Sequence, residues 1–354
     1  MSSRNFIASS AVRFGWLCLC VAFVCAPALG RRKDVVVMRN GDHITGDVKR
    51  LENGILYVET DYASGQIELD WKQVLNVRSS ATYQIVLNDG KRLIGTIEKL
   101  AREQENEKDF TVREPNREIA VPSADVVTVE TQKARFWRQL RGSLDFGYSF
   151  TSGNNQSQAT VDTNASYSTT KWLVSASGDS SFSGQSGAEK TNRQDYQLEA
   201  SRYLSRNSFL VGLGQFLHSS QQDLDLRATA GGGYGRYLIR TTDTSFRWIA
   251  GAAYTHESFT TKVAQPTNEN VEGLLGLQYE LYRFNFGDLQ SQLFVFPGLS
   301  DVGRVRTTTN NSLTIKLTNN FHFTFSFWDN FDSKPPLTAK RNELGLSSSI
   351  GWSF

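Results

Sequence analysis

The chain has 354 residues, with 38 Lys and Arg against 36 Asp and Glu, 28 Gly, 7 Pro and 12% aromatics. A formal charge of +2 gives no electrostatic basis for binding nucleic acid. Beyond the N-terminal segment no stretch offers about 18 continuous apolar residues, so a helical membrane protein is excluded, and the length admits small domains or one large barrel with an added module.

Arg4 and Arg13 flank the start of the N-terminal segment, and "FGWLCLCVAFVC" (Phe14–Cys25) is a short apolar run. Ala26-Pro-Ala28 or Ala28-Leu-Gly30 then offers small residues for cleavage. This order predicts a secretory signal peptide over residues 1–30. Cys18, Cys20 and Cys25 all fall inside it, so the exported chain is expected to have no disulfide and no thiolate chemistry. Bulky Phe23 and Val24 argue against lipidation at Cys25.

Residues 31–135 are rich in Val, Ile and charged residues, and they repeat. "VVMRNGDHITGDV" (Val36–Val48) matches "IVLNDGKRLIGTI" (Ile85–Ile97), and "IELDWKQVLNV" (Ile67–Val77) matches "IAVPSADVVTV" (Ile119–Val129). Each copy opens as strand, Asn-Gly or Asp-Gly turn, strand, which is a hairpin signal. Two SH3-like β-units in tandem are expected, over 31–81 and 82–135, packed together because each alone is small. The charged run Ala101–Asp109 reads as a solvated hairpin loop, and Trp71 as a core residue rather than a binding surface.

From residue 136 the composition shifts to Ser, Thr, Asn, Gly and aromatics. Extended segments are expected at 140–151, 157–169, 171–183, 193–204, 206–219, 225–239, 244–258, 270–284, 289–299, 304–317, 320–332 and 342–354. Their links alternate between short ones, such as Thr241–Asp243, and longer polar ones, such as "GLSDVGR" and "DSKPPLTAKR". That alternation predicts an antiparallel transmembrane β-barrel of about twelve strands over 136–354. An even strand number returns both barrel ends to the periplasmic side, with the repeat module.

The strand faces fit a lipid-facing exterior. Leu144, Phe146 and Tyr148 alternate with Asp145, and Leu275, Leu277 and Tyr279 alternate with Gln278 and Glu280. In "NNFHFTFSFWDNF" (Asn319–Phe331), Phe321, Phe323, Phe325 and Phe327 share one face and His322, Thr324 and Ser326 the other. A soluble periplasmic β-sandwich would alternate too. The aromatics at strand ends, Trp248, Tyr279, Trp352 and Phe354, favour an interfacial girdle and hence the barrel. The chain stops at "GWSF", and a terminal strand carrying Trp352 and Phe354 resembles the signal read by the barrel assembly machinery. Phe321 to Phe327 are therefore expected to face lipid.

The segment "FWRQLRGSLDFGYSFTSGNNQ" (Phe136–Gln156), the preceding "NGD…G" unit and the "GWSF" end together resemble the salt-induced outer-membrane protein family (YdiY-like) over about residues 136–354. The resemblance implies an outer-membrane barrel of no established activity.

The polar face supplies candidate lumen residues: Asp145, Glu199, Arg247, Glu272, Glu280, Lys316 and Glu343. They either line a narrow channel or pair and plug it. "AGGGYG" (Ala230–Gly235) reads as a mid-barrel kink or relief of crowding. A rim-active lipid hydrolase or acyltransferase would need a nucleophile and base in reach, and His218 and His256 are the histidines near external strand ends. Parity sets His218 with Gly212 and Gly214, taken as lumenal, and His256 with Trp248 and Tyr254 towards lipid. The pair is therefore not expected to meet, and no enzyme is expected. His322 reads as lumenal near the periplasmic end, and His43 as exposed in a hairpin. No metal-ligand spacing or phosphate loop occurs, so no cofactor is expected. Outer-membrane lipid and the assembly machinery are the implied partners, with peptidoglycan or a periplasmic protein for the module.

Overall fold

The computed structural model describes residues 34–98, 109–131, 140–151, 156–169, 171–184, 190–259, 267–284, 287–318, 320–335 and 340–353. The expected signal peptide, Phe354 and all but the last residue of the charged run Ala101–Asp109 lie outside these residues.

The N-terminal module holds ten strands. The first half runs β1 (Asp34–Met38), β2 (His43–Glu52), β3 (Ile55–Glu59) and β4 (Gln66–Asp70), then a 3-10 turn at Trp71–Gln73 and β5 (Val74–Arg78). The second half repeats that order with β6 (Thr82–Leu87), β7 (Arg92–Glu98), β8 (Asp109–Glu114) and β9 (Arg117–Pro122), a 3-10 turn at Ser123–Asp125, and β10 (Val126–Thr131). The matched turn glycines Gly41 and Gly90 both have positive φ, 90° and 81°, as the Asn-Gly and Asp-Gly signals require.

The halves do not stand apart. β10 pairs with both β6 and β2, so one sheet runs β4-β3-β2-β10-β6-β7-β8-β9, with β1 joined to β2 and β5. One apolar core, including Val48, Leu51, Leu56, Ile85, Leu93 and Val129, serves both. Burying such side chains contributes about 1.5–3 kcal/mol each, and pooling them offsets the small size of each half. Trp71 is a core residue: its ring stacks on Phe110 at 5.0 Å, and its Nε1 donates to the carbonyl of Ser123 at 2.9 Å, in the equivalent turn of the other half. Asp34 is buried at the joint and accepts from Val48 N at 2.8 Å, from Tyr83 Oη at 2.9 Å and from Ser79.

Residues 140–353 form a closed antiparallel barrel of twelve strands: β11 (Leu140–Thr151), β12 (Gln156–Ser168), β13 (Trp172–Gly184), β14 (Thr191–Tyr203), β15 (Ser208–Ser219), β16 (Leu224–Arg240), β17 (Thr244–Phe259), β18 (Thr267–Phe284), β19 (Gly287–Pro297), β20 (Val305–Lys316), β21 (Phe321–Asp332) and β22 (Asn342–Ser353). Closure is made by β11 against β22, from Ser143↔Ser353 to Phe146↔Ile350. It leaves no open edge, the condition for strands to satisfy their backbone in hydrocarbon.

The outer face is apolar. Leu144, Phe146, Tyr148, Leu198, Leu275, Leu346 and Ile350 are exposed on it, as are Phe321 and Phe325. The polar partners point inwards, where Asp145, Glu199, Glu272 and Glu343 are buried. A closed twelve-strand barrel with an apolar band outside and charges inside is an outer-membrane barrel.

Strand β15 departs from expectation. Gly212 and Gly214 face outwards and His218 with them, while Phe209, Val211 and Leu217 are buried inside. Both faces of β15 are apolar, so alternation carried no direction there. Leu217 packs with Leu224 and Phe259, while Phe209 and Val211 belong to a lumenal cluster with Ile249, Leu274, Phe294 and Phe296. Gly235, within the glycine run, makes room for it: a Cβ at that position would overlap the ring of Phe209.

Candidate functional site

The chemistry-bearing side chains of the barrel collect in its lumen, in two layers. The outer layer is a bolt. Arg304, just before β20, donates to Glu257 of β17 through Nη1 and Nη2, at 2.8 and 3.0 Å, and to Asp332 of β21 through Nε at 3.1 Å. Arg227 of β16 donates to Glu257 at 2.6 Å and lies 3.5 Å from Asp332. Next to them Arg306 donates to Glu272 at 2.8 Å and to Thr255 at 2.9 Å. Glu257 and Glu272 are fully buried and Arg304 is 2% exposed. Bidentate, charge-assisted bonds of this kind are what a charge out of water needs to be tolerated.

Several of these contacts cross the barrel. The Arg227–Asp332 pair joins β16 to β21, five strands apart in a ring of twelve. Ser219 of β15 donates to both oxygens of Glu343 of β22 at 2.9 Å, and the guanidinium of Arg193 of β14 lies 3.9 Å from the ring centre of Trp328 on β21. Each of these also joins strands five apart by the shorter way round the ring. These side chains meet across the lumen at its outer end.

Beneath the bolt is a cavity of about 1040 Å³. It runs from Arg193, Thr229 and Phe296 at its outer end to Arg50, Tyr57 and Glu68 of the N-terminal module at its inner end. Five of the candidate lumen residues line it: Asp145, Glu199, Arg247, Glu280 and Lys316. Asp145 is 2.8 Å from His322 Nε2 and accepts from Thr324 at 3.2 Å. Glu199 is paired with Arg247 at 2.8 Å and accepts from Ser201 at 2.8 Å. Glu280 accepts from Tyr282 at 2.6 Å, and Lys316 is exposed at the periplasmic end. The other two, Glu272 and Glu343, belong to the bolt. Trp352 faces lipid opposite Leu144 and Phe321.

Sequence reading does not single out the charged residues of the outer layer, Arg227, Glu257, Arg304, Arg306 and Asp332. Parity along β16, β17, β20 and β21 marks four of them as inward, whereas Arg304 sits in the "GLSDVGR" link, where period carries no signal. Nor does sequence reading single out a row of carboxylates: Asp145, Asp162, Asp179 and Asp195 lie directly opposite one another on β11 to β14. Their spacing of 17, 17 and 16 residues is visible in the sequence. Asp195 is paired with Arg193 at 2.9 Å and accepts from Gln215 Nε2 at 2.9 Å. Among the described residues no group of three or more His, Cys, Asp or Glu could hold a metal ion.

The inner end is covered by the module, which is tied to the barrel rim at separate places. Arg141, at the start of β11, pairs with Glu52 and lies 3.5 Å from Glu130. Asn207, in the β14–β15 turn, donates to the carbonyl of Asn88 at 2.5 Å. Lys72 pairs with Asp243, in the β16–β17 turn, at 2.8 Å. The Arg92 guanidinium lies 4.5 Å from the ring centre of Tyr203. Burial, reinforced by nearby Arg240, lowers the Arg92 pKa from its ordinary value. Burial raises Glu130 and also raises Tyr57, where Glu68 adds to the effect. For Asp243, burial works upwards but the bonds from Lys72 and Thr241 outweigh it, and the carboxyl is held below its usual range.

The histidines do not assemble a rim site. His218 and His256 are both on the outer face: His218 lies 2.9 Å from the carbonyl of Asp225, and His256 is 3.5 Å from Glu269. The expected separation by parity is thus replaced by a shared face, because β15 has its glycines outside. His322 is lumenal and buried near the periplasmic end, and His43 is exposed in the module.

Solved outer-membrane barrels are similar to the chain at low likeness. The translocator domain of autotransporter NalP from Neisseria meningitidis is 14% identical over 61% of this chain and 86% of its own, with a TM-score of 0.35. The NanC porin is 13% identical over 60% and 98%, with a TM-score of 0.39. The COG4313 outer membrane channel from Pseudomonas putida F1 is 10% identical over 61% and 95%, with a TM-score of 0.36. Among curated proteins, none matches the chain. Residues 144–354, which are β11 from its fifth residue to the C-terminus, match a family model, and the chain belongs to that family, described as "Protein of unknown function, DUF481".

Proposed function

We propose that the chain is a sealed outer-membrane barrel that anchors its N-terminal β-module against the periplasmic face of the membrane, where the module contacts peptidoglycan or an envelope protein. The observation that carries this reading is the cross-lumen layer of Arg304, Glu257, Asp332 and Arg227. A channel would have to break it, and breaking a buried pair is costly. The module's ties to three sites on the rim support the same reading, since they hold the module where the cell wall begins. The repeated order of strands and 3-10 turn supports naming each half SH3-like, and the resemblance to salt-induced outer-membrane proteins fits an envelope role. The outward placement of His218 and His256, each beside a backbone carbonyl or a carboxylate, supports a non-enzymatic role. A gated channel is the second reading, favoured by the polar cavity beneath the bolt.

The test is access to that cavity. Ser177 lines it on β13. A Ser177→Cys chain in intact cells, treated with a membrane-impermeant maleimide and compared with its parent, is expected to stay unlabelled from outside and to label once denatured. Ready labelling from outside means an open outer mouth and supports the channel instead. Co-sedimentation of the full chain with purified sacculi tests the peptidoglycan contact. No co-sedimentation leaves a protein partner.

A further inference from the structure

The lipid-facing surface carries an uneven charge. Among the described side chains, the outward positions of the twelve strands hold two cations, Arg202 on β14 and Arg236 on β16. Both lie at the periplasmic end of their strands, and both are exposed. They flank β15, about 10 Å apart across the sheet and offset along it, Arg202 opposite Leu210 and Arg236 opposite Ser208. Lys171 and Arg206, both exposed, lie in the β12–β13 and β14–β15 turns of the same sector.

Between the two arginines β15 thus presents Leu210 and the polar Ser208. Ser208 of β15 is bonded to Tyr234 Oη of β16 at 2.6 Å, and Tyr234 packs edge-on to Trp248 at 5.9 Å. On the other flank the Arg202 guanidinium lies 5.7 Å from the ring centre of Trp172. The carboxylate of the adjoining turn, Asp243, is taken by Lys72 and Thr241. No ion pair to Arg202, Arg206, Arg236 or Lys171 is formed among the described residues.

Cations that serve only to anchor a barrel at the interface are expected around its rim. Among the described side chains they fall on β13–β16, while the described outward positions at the periplasmic ends of β18 to β22 include Tyr279, Leu281, Ile315, Phe321 and Trp352. We propose that Arg202 and Arg236, with Lys171 and Arg206 beside them, form a seat for the phosphate headgroup of an anionic phospholipid in the periplasmic leaflet. The acyl chains would lie along the apolar strands between Trp172 and Trp248. Guanidinium groups suit a phosphodiester because their planar donors match its oxygens.

Native mass spectrometry of the refolded full chain in detergent, with phosphatidylglycerol or phosphatidylcholine of identical acyl chains, tests the seat. The wild type is expected to retain the glycerol lipid about tenfold more than the choline lipid, and this preference should fall as ammonium acetate is raised. The Arg202→Gln, Arg236→Gln chain, checked for folding by its heat-shifted migration, should lose the preference, and Lys171→Gln should weaken it. Equal retention of the two lipids by the wild type, or a preference insensitive to salt, overturns the proposal without any variant. An unchanged preference in the folded double variant also overturns it.

Discussion

Arg304→Ala removes the hub of the outer layer. The side chain makes two bonds to Glu257 and reaches both oxygens of Asp332, and all three groups are nearly inaccessible to water. Deleting one partner of a buried pair costs about 3–5 kcal/mol, mostly because the other charge is left without compensation. Arg227 stays 2.6 Å from Glu257 and 3.5 Å from Asp332 and keeps part of that compensation, so the low end, about 3 kcal/mol, is expected. That is roughly a hundredfold in the unfolding equilibrium. In urea titrations of the barrel in phospholipid vesicles, followed by tryptophan fluorescence and by heat-shifted migration, the midpoint should fall by about 1 M or more. The Arg304→Met, Glu257→Gln chain should lose less than the two single changes summed, since each removes the other's uncompensated charge. A midpoint within error of wild type for Arg304→Ala would show that this layer does not hold the barrel together. It would mean that water reaches these groups and the layer bears no strain when broken.

Facing residues on β21 give a second expectation. Phe325→Lys puts a charge into the lipid band and should cost roughly 2–4 kcal/mol and lower assembly, while its neighbour Ser326→Lys, which lines the lumen, should be mild; the reverse order in a folding assay contradicts the register. Gly90→Ala meets a positive φ and the backbone of Asn207 at once, so it should unseat the module and speed its limited proteolysis while leaving the heat-shift of the barrel intact. Asp243 has a folded-state pKa below its unfolded value, so its contribution is present above the usual carboxylate range, about pH 4, and is lost as pH falls through the folded value. Hydrogen exchange around Lys72, corrected for intrinsic rate, should therefore rise between pH 5 and pH 3 in the wild type, to about the level that Asp243→Asn shows at both. An equal rise in both chains would show that this pair does not hold the module.

The barrel was legible because hydrocarbon imposes a strict rule on strands. Leu144, Phe146 and Tyr148 against Asp145, or Phe321 to Phe327 against His322 and Ser326, leave one face for lipid, and the short and long links orient the whole. The strand spans fall close to those expected, from 140–151 at the start to 342–353 at the end. Strand β15 was misread because Phe209, Val211 and Leu217 fill the lumen, so both of its faces are apolar and Gly212 carries no direction. The repeat in the module was also legible in its turn glycines, but its joining was not. Pairing of β10 with β2 is a long-range contact with no local signature.

The functional layer was harder to read for a different reason. Parity says that Glu272 and Glu343 point inwards, yet it cannot say whether an inward charge faces water or another charge. That depends on which strands face each other across the ring, as Arg227 and Asp332 do. Arg304 enters from a link, outside any period. The seat of the module depends on side chains distant in sequence, such as Lys72 with Asp243 and Asn88 with Asn207, and no pattern in either segment marks them.

Single-channel recording tests directly whether the lumen is sealed. The refolded full chain, inserted into a planar bilayer at neutral pH and moderate salt, should give no sustained conductance steps, while Arg304→Ala in the same bilayer should give steps or flicker as the cross-lumen layer loosens. A steady open conductance from the wild-type chain, unchanged by Arg304→Ala, would contradict the account.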